Sequence, residues 1–277
     1  MRNIKNFRLT DILQRGDVIW VRFKSIESKQ ITFSLEQEPE VEGAVVALEP
    51  ETGFIRALVG GFSFAKSEYN RAVFAKRQAG SAIKPLIYAA ALEHGFTPES
   101  IIKDEPVSYS DGMGGEWKPE NYDRKYYGPT TLREALAFSR NIITVKLVDE
   151  VGIDKIISFA RNVGVNSEIP RDLTIALGSV SVSPLEMTVT YATFANQGIR
   201  PRPIAIKYIT DSAGVIIESN EPEGTEVLDP QAAFLITSIM QDVINYGTGT
   251  RANIGRPAAG KTGTSNDYKD AWFIGYS

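Results

Sequence analysis

The chain has 277 residues, 43% of them hydrophobic and 23% charged, which is typical of a soluble globular protein with a sizeable core. Its formal net charge of −4 excludes the basic face that nucleic-acid binding needs. The lack of cysteine excludes disulfides and thiolate sites, and the single histidine, His94, cannot build a histidine-based metal centre, so we expect no metal and no cofactor. His94 stands at the predicted end of a helix and is interpreted as structural.

Two β-hairpins are predicted at the start of the chain. Alternating apolar residues and polar turns indicate half-buried strands at Val18–Phe23, Gln30–Leu35, Gly43–Leu48 and Phe54–Val59. A segment of about forty residues cannot bury a core of its own. We therefore interpret residues 1–40 as the remnant of a larger β domain.

Helical periodicity dominates the middle of the chain. Apolar residues three and four apart predict helices at Ser81–His94, Thr130–Phe138, Asn141–Gly152, Ile153–Val163, Pro184–Gln197 and Pro230–Tyr246. Pro85, which has no backbone N–H, predicts an irregular first turn in the first helix. Thr130 and Thr131 are candidate N-caps of the second helix. The polar, glycine- and aromatic-rich stretch 104–129 is predicted to be a long loop.

A further hairpin and two closing strands complete the predicted elements. These strands are Ile204–Thr210, Gly214–Ser219, Ala258–Ser265 and Ala271–Tyr276. The segment Gly247-Thr248-Gly249-Thr250 is interpreted as a turn that ends the last helix. Strands around a large helical insert predict an α+β fold with a mixed sheet.

The pattern Ser-x-x-Lys extends from Ser81 to Lys84, and it recurs as a decoy from Ser63 to Lys66. Residues three apart on a helix share a face, so Lys84 is expected within reach of the Ser81 hydroxyl. Ser63 stands in a predicted loop, where this spacing specifies no geometry. We therefore predict that Ser81 is a nucleophile at a helix N-terminus, which favours a developing oxyanion. A simpler interpretation is that Ser81 only caps the helix and Lys84 is a solvated surface lysine.

Two further motifs suit acyl transfer. Lys84 can act as a general base only if its pKa lies well below about 10.4, which burial and a second cation, Lys261, would achieve. In Ser139-Arg140-Asn141 the hydroxyl can relay a proton and the amide can hold Lys84, although these residues also suit a plain turn. Lys261-Thr262-Gly263-Thr264 offers donors for a carboxylate beside a glycine that permits close approach, or else an edge strand with a bulge at Gly263.

Together these three motifs are the set found in penicillin-binding proteins and serine β-lactamases. From about Gly43 onward, the sequence resembles the transpeptidase domain of class A (bifunctional) penicillin-binding proteins. Further segments that carry the resemblance are Tyr69–Ala72, Arg77–Pro85, Trp117–Tyr122, Thr131–Leu136, Ala176–Ser179 and Gly260–Phe273. The resemblance implies that residues 41–277 form a transpeptidase domain with a mixed sheet and a helical subdomain.

The resemblance also implies how the domains and the membrane are arranged. Residues 1–40 are expected to be the remnant of an oligosaccharide-binding-like β domain. The transpeptidase domain is expected to be C-terminally incomplete, because a further strand and a closing helix follow in the family. The parent protein is expected at the periplasmic face of the bacterial inner membrane, held by an N-terminal anchor that is missing here.

The activity implied is that of a peptidoglycan D,D-transpeptidase, which forms cross-links through a serine acyl-enzyme and is inhibited by β-lactams. Its implied partners are peptidoglycan stem peptides and β-lactam antibiotics. The residues given roles are Ser81, Lys84, Ser139, Asn141 and Lys261 in catalysis, and Thr262, Gly263 and Thr264 in substrate binding. The backbone N–H groups of Ser81 and Thr264 are expected to form the oxyanion hole, and Lys261 is expected to help bind the terminal carboxylate.

Three alternatives stay open. A serine β-lactamase shares the motifs but needs a group that activates water, for which Glu116, Glu120 and Glu134 are candidates. A D,D-carboxypeptidase differs only in using water as the acceptor. The third alternative is a catalytically silent fragment that binds penicillin or cell wall.

Overall fold

The structure, a computed structural model, describes residues 8–110, 115–265 and 269–277. The chain divides into two units, Met1–Glu42 and Gly43–Ser277. Of the segments discussed above, residues 1–7 of the first predicted domain and residues 266–268 between the two closing strands lie outside the described part.

The first unit is built on one antiparallel ribbon. Strands β1 (Trp20–Glu27) and β2 (Gln30–Glu36) pair along their length, after a short 3-10 turn at Leu9–Asp11. The side chains of Trp20 and Phe23 are 77% and 55% exposed. The prediction of a half-buried ribbon is therefore wrong, because two strands alone give neither face a packing surface.

The second unit alternates short strands with seven α-helices in its described residues. The helices α1 to α7 are Arg71–Phe74, Lys84–Glu93, Leu132–Ala137, Asn141–Val151, Ile153–Asn162, Pro184–Ala195 and Pro230–Asn245. The strands β3 to β16 are Val45–Leu48, Ile55–Val59, Arg77–Gln78, Ile101–Asp104, Tyr109–Ser110, Glu116–Trp117, Gly128–Thr131, Ser181–Val182, Ile199–Pro201, Tyr208–Thr210, Ile216–Ser219, Gly224–Glu226, Ala259–Thr264 and Ala271–Tyr276.

The strands of the second unit pair two by two and antiparallel, and a parallel bridge joins Phe54 to Ile204. The pairs are β3–β4, β5–β10, β6–β9, β7–β8, β11–β14, β12–β13 and β15–β16. Helices that pack beside short antiparallel ladders make an α+β architecture. The fold class predicted from the sequence is confirmed.

All six predicted helices are present, each within a few residues of its expected bounds. A 3-10 turn at Gly80–Ile83 precedes α2, which confirms the irregular first turn expected from Pro85. The N-cap of α3 is Thr131, whose hydroxyl oxygen accepts a hydrogen bond from the backbone N–H of Glu134 at 3.2 Å. Among the described residues, no helix is both long and apolar enough to cross a membrane.

The long loop predicted at 104–129 is wrong in part. Strands β6 and β9 pair across it, and the pair β7–β8 lies between them. Strands of two to four residues are too short for an alternating pattern to be visible in the sequence. Residues 111–114 of the predicted loop lie outside the described residues.

Helix α2 forms the centre of the core. Every residue from Lys84 to Ala91 is buried, and α2 packs against α3, α4, α5 and α7. A helix that is apolar all round has no face to turn toward solvent. Lys84 is the first residue of this buried helix, and its amine is enclosed by protein.

Candidate active site

Ser81 lies on the 3-10 turn, at the edge of a cleft of about 480 Å³. Side chains three residues apart eclipse one another in such a turn, so Ser81 and Lys84 leave the backbone on the same side. Ser81 is partly exposed, whereas Lys84 is 0% exposed. The N-cap position of α2 is occupied by Ile83. The interpretation of Ser81 as a helix cap and Lys84 as a solvated lysine is therefore wrong.

Three oxygen atoms surround the amine of Lys84. Its Nζ donates to the carbonyl oxygen of Ser139 at 2.7 Å, to Oδ1 of Asn141 at 2.8 Å, and to Oγ of Ser139 at 3.3 Å. The second motif therefore meets the first in space, as the resemblance implied. The amide of Asn141 holds the lysine directly.

Ser139 lies in the bend between α3 and α4 and connects the two buried lysines. Its Oγ is 3.3 Å from Nζ of Lys84 and 3.1 Å from Nζ of Lys261. Its φ of 58° is in the left-handed region, which costs a residue other than glycine about 1–3 kcal/mol. The bend thus holds a strained backbone that delivers one hydroxyl to two amines.

Burial lowers the pKa of both lysines. Desolvation lowers the pKa of Lys84 well below its ordinary value, and the nearby charges of Lys261 and Arg140 lower it further. Burial lowers the pKa of Lys261 to about 7. A neutral amine at Lys84 has a free lone pair, so it can accept a proton from a neighbouring hydroxyl.

The third motif occupies strand β15. Lys261 is 0% exposed, and its Nζ contacts Ser139 and the carbonyl oxygen of Thr262, the latter at 3.1 Å. Thr262, Gly263 and Thr264 line the cleft. Lys261 is not among the residues that line the cleft, and its contact there is with Ser139; the carboxylate contact expected from the resemblance stays a prediction.

Two glycines let β15 lie against the turn that carries Ser81. A Cβ atom on Gly263 would be 2.4 Å from the carbonyl oxygen of Ala79, and one on Gly80 would be 2.4 Å from that of Thr264. No side chain fits in either gap, and Gly80 also has a φ of 51°. The register from β15 to β16 is continuous through Gly263, so the alternative of a bulge there is wrong.

Sequence reasoning missed several residues of the cleft. Arg140, the middle residue of the second motif, lines the cleft. The lining residues that belong to none of the three motifs are Asn121, Tyr122, Asp123, Phe138, Leu177, Thr248 and Ser265. Thr248 was interpreted only as part of a turn, yet its Oγ1 lies 3.3 Å from Oγ1 of Thr262. No local pattern in the sequence marks this contact; only the structure shows that Gly247 lies close to the end of α3, where a Cβ atom would be 2.3 Å from the carbonyl oxygen of Ala137.

Other candidates lie outside this cleft. The Ser-x-x-Lys match from Ser63 to Lys66 forms a turn in which Lys66 is exposed and its backbone N–H donates to the carbonyl oxygen of Ser63 at 3.2 Å. The Nδ1 atom of His94 contacts the carbonyl oxygen of Ala90, one turn earlier in α2, at 2.8 Å. These contacts agree with the structural role expected for His94.

The fold and the cleft can be compared with known proteins. The family model described as the penicillin-binding protein transpeptidase domain matches residues 43–277. Penicillin-binding protein 1A of Aquifex aeolicus is 45% identical over 241 residues, which are 86% of this chain and 33% of that protein. Penicillin-binding protein 1A of Neisseria flavescens is 40% identical in an alignment 277 positions long, which covers 96% of this chain and 34% of that protein. The chain therefore spans about a third of the length of these curated relatives.

Solved structures agree with these matches. Penicillin-binding protein 1A from Haemophilus influenzae aligns with a TM-score of 0.86 and 33% identity, over 93% of this chain and 44% of that one. An imipenem acyl-enzyme complex of penicillin-binding protein A from M. tuberculosis aligns with a TM-score of 0.72 and 25% identity, over 85% of this chain and 65% of that one.

Proposed function

This chain belongs to the penicillin-binding protein transpeptidase family, and we propose that it is a serine D,D-transpeptidase that cross-links peptidoglycan stem peptides. One observation carries the proposal: the hydroxyl of Ser139 lies within 3.3 Å of both buried amines, beside the cleft that Ser81 lines. This arrangement supplies a nucleophile, a base and a proton relay at one place without a histidine.

In the acylation step, Ser81 Oγ attacks the carbonyl carbon of the penultimate D-alanine, and the hydroxyl proton passes to the neutral amine of Lys84. The new ester bond forms as the amide C–N bond to the terminal D-alanine breaks. The hydroxyl of Ser139 then gives its proton to the leaving amine and takes one from Lys84 in exchange, while Lys261 stabilises this hydroxyl. The lowered pKa of Lys84 supports its role as the base.

The developing oxyanion is proposed to lie between the backbone N–H groups of Ser81 and Thr264. The close approach of Gly80 to the Thr264 backbone supports this pairing. One such donor contributes about 3–4 kcal/mol to transition-state stabilisation in comparable enzymes. The hydroxyls of Thr262 and Thr264 are proposed to bind the terminal carboxylate of the donor peptide.

In the second step an amine of another stem peptide attacks the ester carbon. The cross-linking amide bond forms, the ester bond breaks, and the proton lost by the attacking amine passes to Ser81 Oγ. A β-lactam would acylate Ser81 in the same way, through opening of its ring amide. The acyl-enzyme complex with imipenem of the M. tuberculosis relative supports the proposal that β-lactams bind here.

The β-lactamase alternative receives less support. Glu116 and Glu120 form ion pairs with Lys118 at 2.8 Å and Arg124 at 3.6 Å. The residues of the described part that line the cleft include no glutamate. A β-lactamase of this kind requires a glutamate that activates water, and none of these lining residues can serve as that glutamate beside Ser81.

The domain arrangement and location are part of the proposal. We propose that residues 41–277 are the transpeptidase domain and that residues 1–40 belong to an oligosaccharide-binding-like domain. The division into units near residue 42 is compatible with this boundary. A stem-peptide substrate would require the active site to face the periplasm, beside the bacterial inner membrane.

Mass spectrometry after exposure to benzylpenicillin tests the nucleophile. We expect an adduct of the whole antibiotic on the peptide that contains Ser81, in the wild-type chain and in the Ser63→Ala variant. Ser81→Ala should carry none, because the attacking oxygen is gone. An adduct that persists in Ser81→Ala, or no adduct in the wild-type chain, would contradict the proposal.

Incubation with a stem pentapeptide and an acceptor peptide separates the remaining activities. A transpeptidase releases D-alanine and forms a cross-linked dimer. Release of D-alanine without a dimer would instead indicate a D,D-carboxypeptidase. The Ser81→Ala variant is the control for both products.

A further inference from the structure

The N-terminus of helix α4 has no cap from its own sequence. Arg140 occupies the N-cap position with an extended backbone, but its side chain accepts no hydrogen bond from the helix. The first backbone N–H groups of a helix have no partner within it and need one from elsewhere. They belong here to Asn141 and Ile142, and Asn141 is the residue that holds Lys84.

Asn121 supplies the missing cap from a distant segment. Its Oδ1 accepts hydrogen bonds from the backbone N–H groups of Asn141, at 2.8 Å, and of Ile142, at 3.4 Å. Asn121 stands 20 residues earlier in the chain and is only 3% exposed. The start of α4 is therefore tied to the segment whose residues 121–123 line the cleft.

A buried carboxylate determines how the Asn121 amide is oriented. Nδ2 of Asn121 lies 3.0 Å and 2.8 Å from the two carboxylate oxygens of Asp104, and 2.8 Å from the carbonyl oxygen of Lys125. Asp104 is 1% exposed. A carboxylate only accepts hydrogen bonds, so the NH₂ group must face Asp104 and the oxygen must face α4.

The residue before Asn121 orients the side chain of Asn141. The carbonyl oxygen of Glu120 accepts a hydrogen bond from Nδ2 of Asn141 at 2.9 Å. This contact leaves Oδ1 of Asn141 to face Lys84, at 2.8 Å. Residues 120 and 121 thus hold both the backbone and the side chain of Asn141.

We propose that Asn121 is a positioning residue for the acylation step, anchored by Asp104, and that it acts on Lys84 through Asn141. This inference deepens the proposed function and rests on it, since acylation is the reaction measured. A purely structural role would stabilise the fold without changing the reactivity of Ser81.

The first test removes the cap. In Asn121→Ala the Asn141 N–H loses its acceptor, and we expect acylation by a fluorescent penicillin to slow about a hundredfold, as misplacement of a catalytic group by about 1 Å can do. Hydrogen–deuterium exchange should rise in the peptide that covers residues 139–143. The acidic limb of the pH–rate profile should move to lower pH, because a displaced Asn141 no longer stabilises the protonated amine of Lys84.

The matched control is Asp229→Ala, which removes the cap of α7. The carboxylate of Asp229 accepts hydrogen bonds from the N–H groups of Gln231 and Ala232, at the opposite end of α7 from Thr248. We expect a fall in Tm of about 2–4 °C, with an unchanged acylation rate and unchanged exchange in residues 139–143. An acylation rate for Asn121→Ala within twofold of wild type would overturn the proposal.

A charge swap separates positioning from loss of packing. Asn121→Asp alone places two carboxylates together in a buried site and should abolish acylation. The double variant Asn121→Asp with Asp104→Asn restores a donor and an acceptor in exchanged positions, and it keeps an oxygen to cap Asn141. We expect the swap to recover acylation to within about tenfold of wild type, since the two sites are directly coupled. No recovery in a swap variant that is folded would overturn the proposal.

Failure of this inference differs from failure of the proposed function. If the wild-type chain forms no adduct on Ser81, the proposed function fails first. The exchange measurement still shows whether Asn121 caps α4, because it requires no activity. If the wild-type chain is acylated and Asn121→Ala is acylated equally fast, only the positioning role is wrong.

Discussion

The same four-residue pattern begins at Ser63 and at Ser81, and the lysines of these two matches have opposite environments. Lys66 is exposed on a turn after β4, three residues from Ser63. Lys84 is 0% exposed at the start of the central helix, with oxygen atoms of Ser139 and Asn141 within 3.3 Å. The residue types and their spacing are identical, so these cannot be the cause of the difference.

The comparison shows that Lys84 is suitable as a base because other segments of the chain bury it and so lower its pKa. Desolvation is the largest cause of its lowered pKa, and the cations of Lys261 and Arg140 add to it. Lys261 is 177 residues from Lys84 along the chain, yet both contact one hydroxyl. The reactivity of a Ser-x-x-Lys pattern therefore depends on what the rest of the fold packs around it.

The largest expected effect comes from removing each lysine in turn. Lys84→Met replaces the base by an apolar side chain of similar length, and we expect acylation by a fluorescent penicillin to slow about 10²- to 10⁴-fold. Lys66→Met should acylate at the wild-type rate, because its environment is exposed. Urea denaturation of both variants checks that they fold. Equal acylation rates for Lys84→Met and Lys66→Met would contradict the hypothesis that burial makes Lys84 the base.

A smaller effect is expected at the hydroxyl between the buried lysines. Ser139→Ala and Ser139→Gly both remove the proton relay, and each should slow acylation about a hundredfold. Glycine accepts a φ of 58° without strain, so the free energy of unfolding should be about 1 kcal/mol higher for the glycine variant than for the alanine variant. If Ser139→Gly were acylated at the wild-type rate, backbone strain and not the hydroxyl would explain Ser139.

The smallest effect is expected from a neighbouring charge. The rate should be maintained above the pKa of Lys84 and lost as the pH falls through it, because only the neutral amine accepts a proton. The cation of Arg140 lowers that pKa, so Arg140→Gln should raise it and move the acidic limb of the pH–rate profile to higher pH. The substitution therefore brings the pKa of Lys84 closer to that of an ordinary lysine.

The control for Arg140 is the carboxylate that pairs with it. Asp123 contacts Arg140 at 3.3 Å, and Asp123→Asn removes the ion pair but leaves the cation in place. The acidic limb of this variant should not move to higher pH. A shift to higher pH in Asp123→Asn as large as that in Arg140→Gln would show that geometry, not charge, controls Lys84.

Much of the fold was predictable because it depends on local pattern. Apolar residues at helical spacing predicted the six helices α2 to α7, and Pro85 predicted the irregular turn that carries Ser81. The shortest strands could not be predicted, because two or three residues form no period. The half-buried ribbon was wrong because alternation records which residues are apolar and not whether anything covers them.

The three motifs of the candidate site could be recognised in the sequence, but the contacts between them could not. The choice of Ser81 over Ser63 followed from helical periodicity, and the three motifs were recognisable by their residue types and order. Thr248 and the cap from Asn121 were missed, because each acts on a residue that lies 14 or 20 positions away along the chain. Local pattern contains no information about such pairs.

By itself the sequence determined the fold class, the main helices and the three motifs, since apolar spacing and residue chemistry are local properties. Only the tertiary structure decided that Lys84 is buried, that Lys261 faces Ser139 and not the cleft, and that Asp104 orients Asn121. The physical reason is that a pKa and a hydrogen bond depend on which distant segments exclude water around a group. That information arises only when those segments pack together.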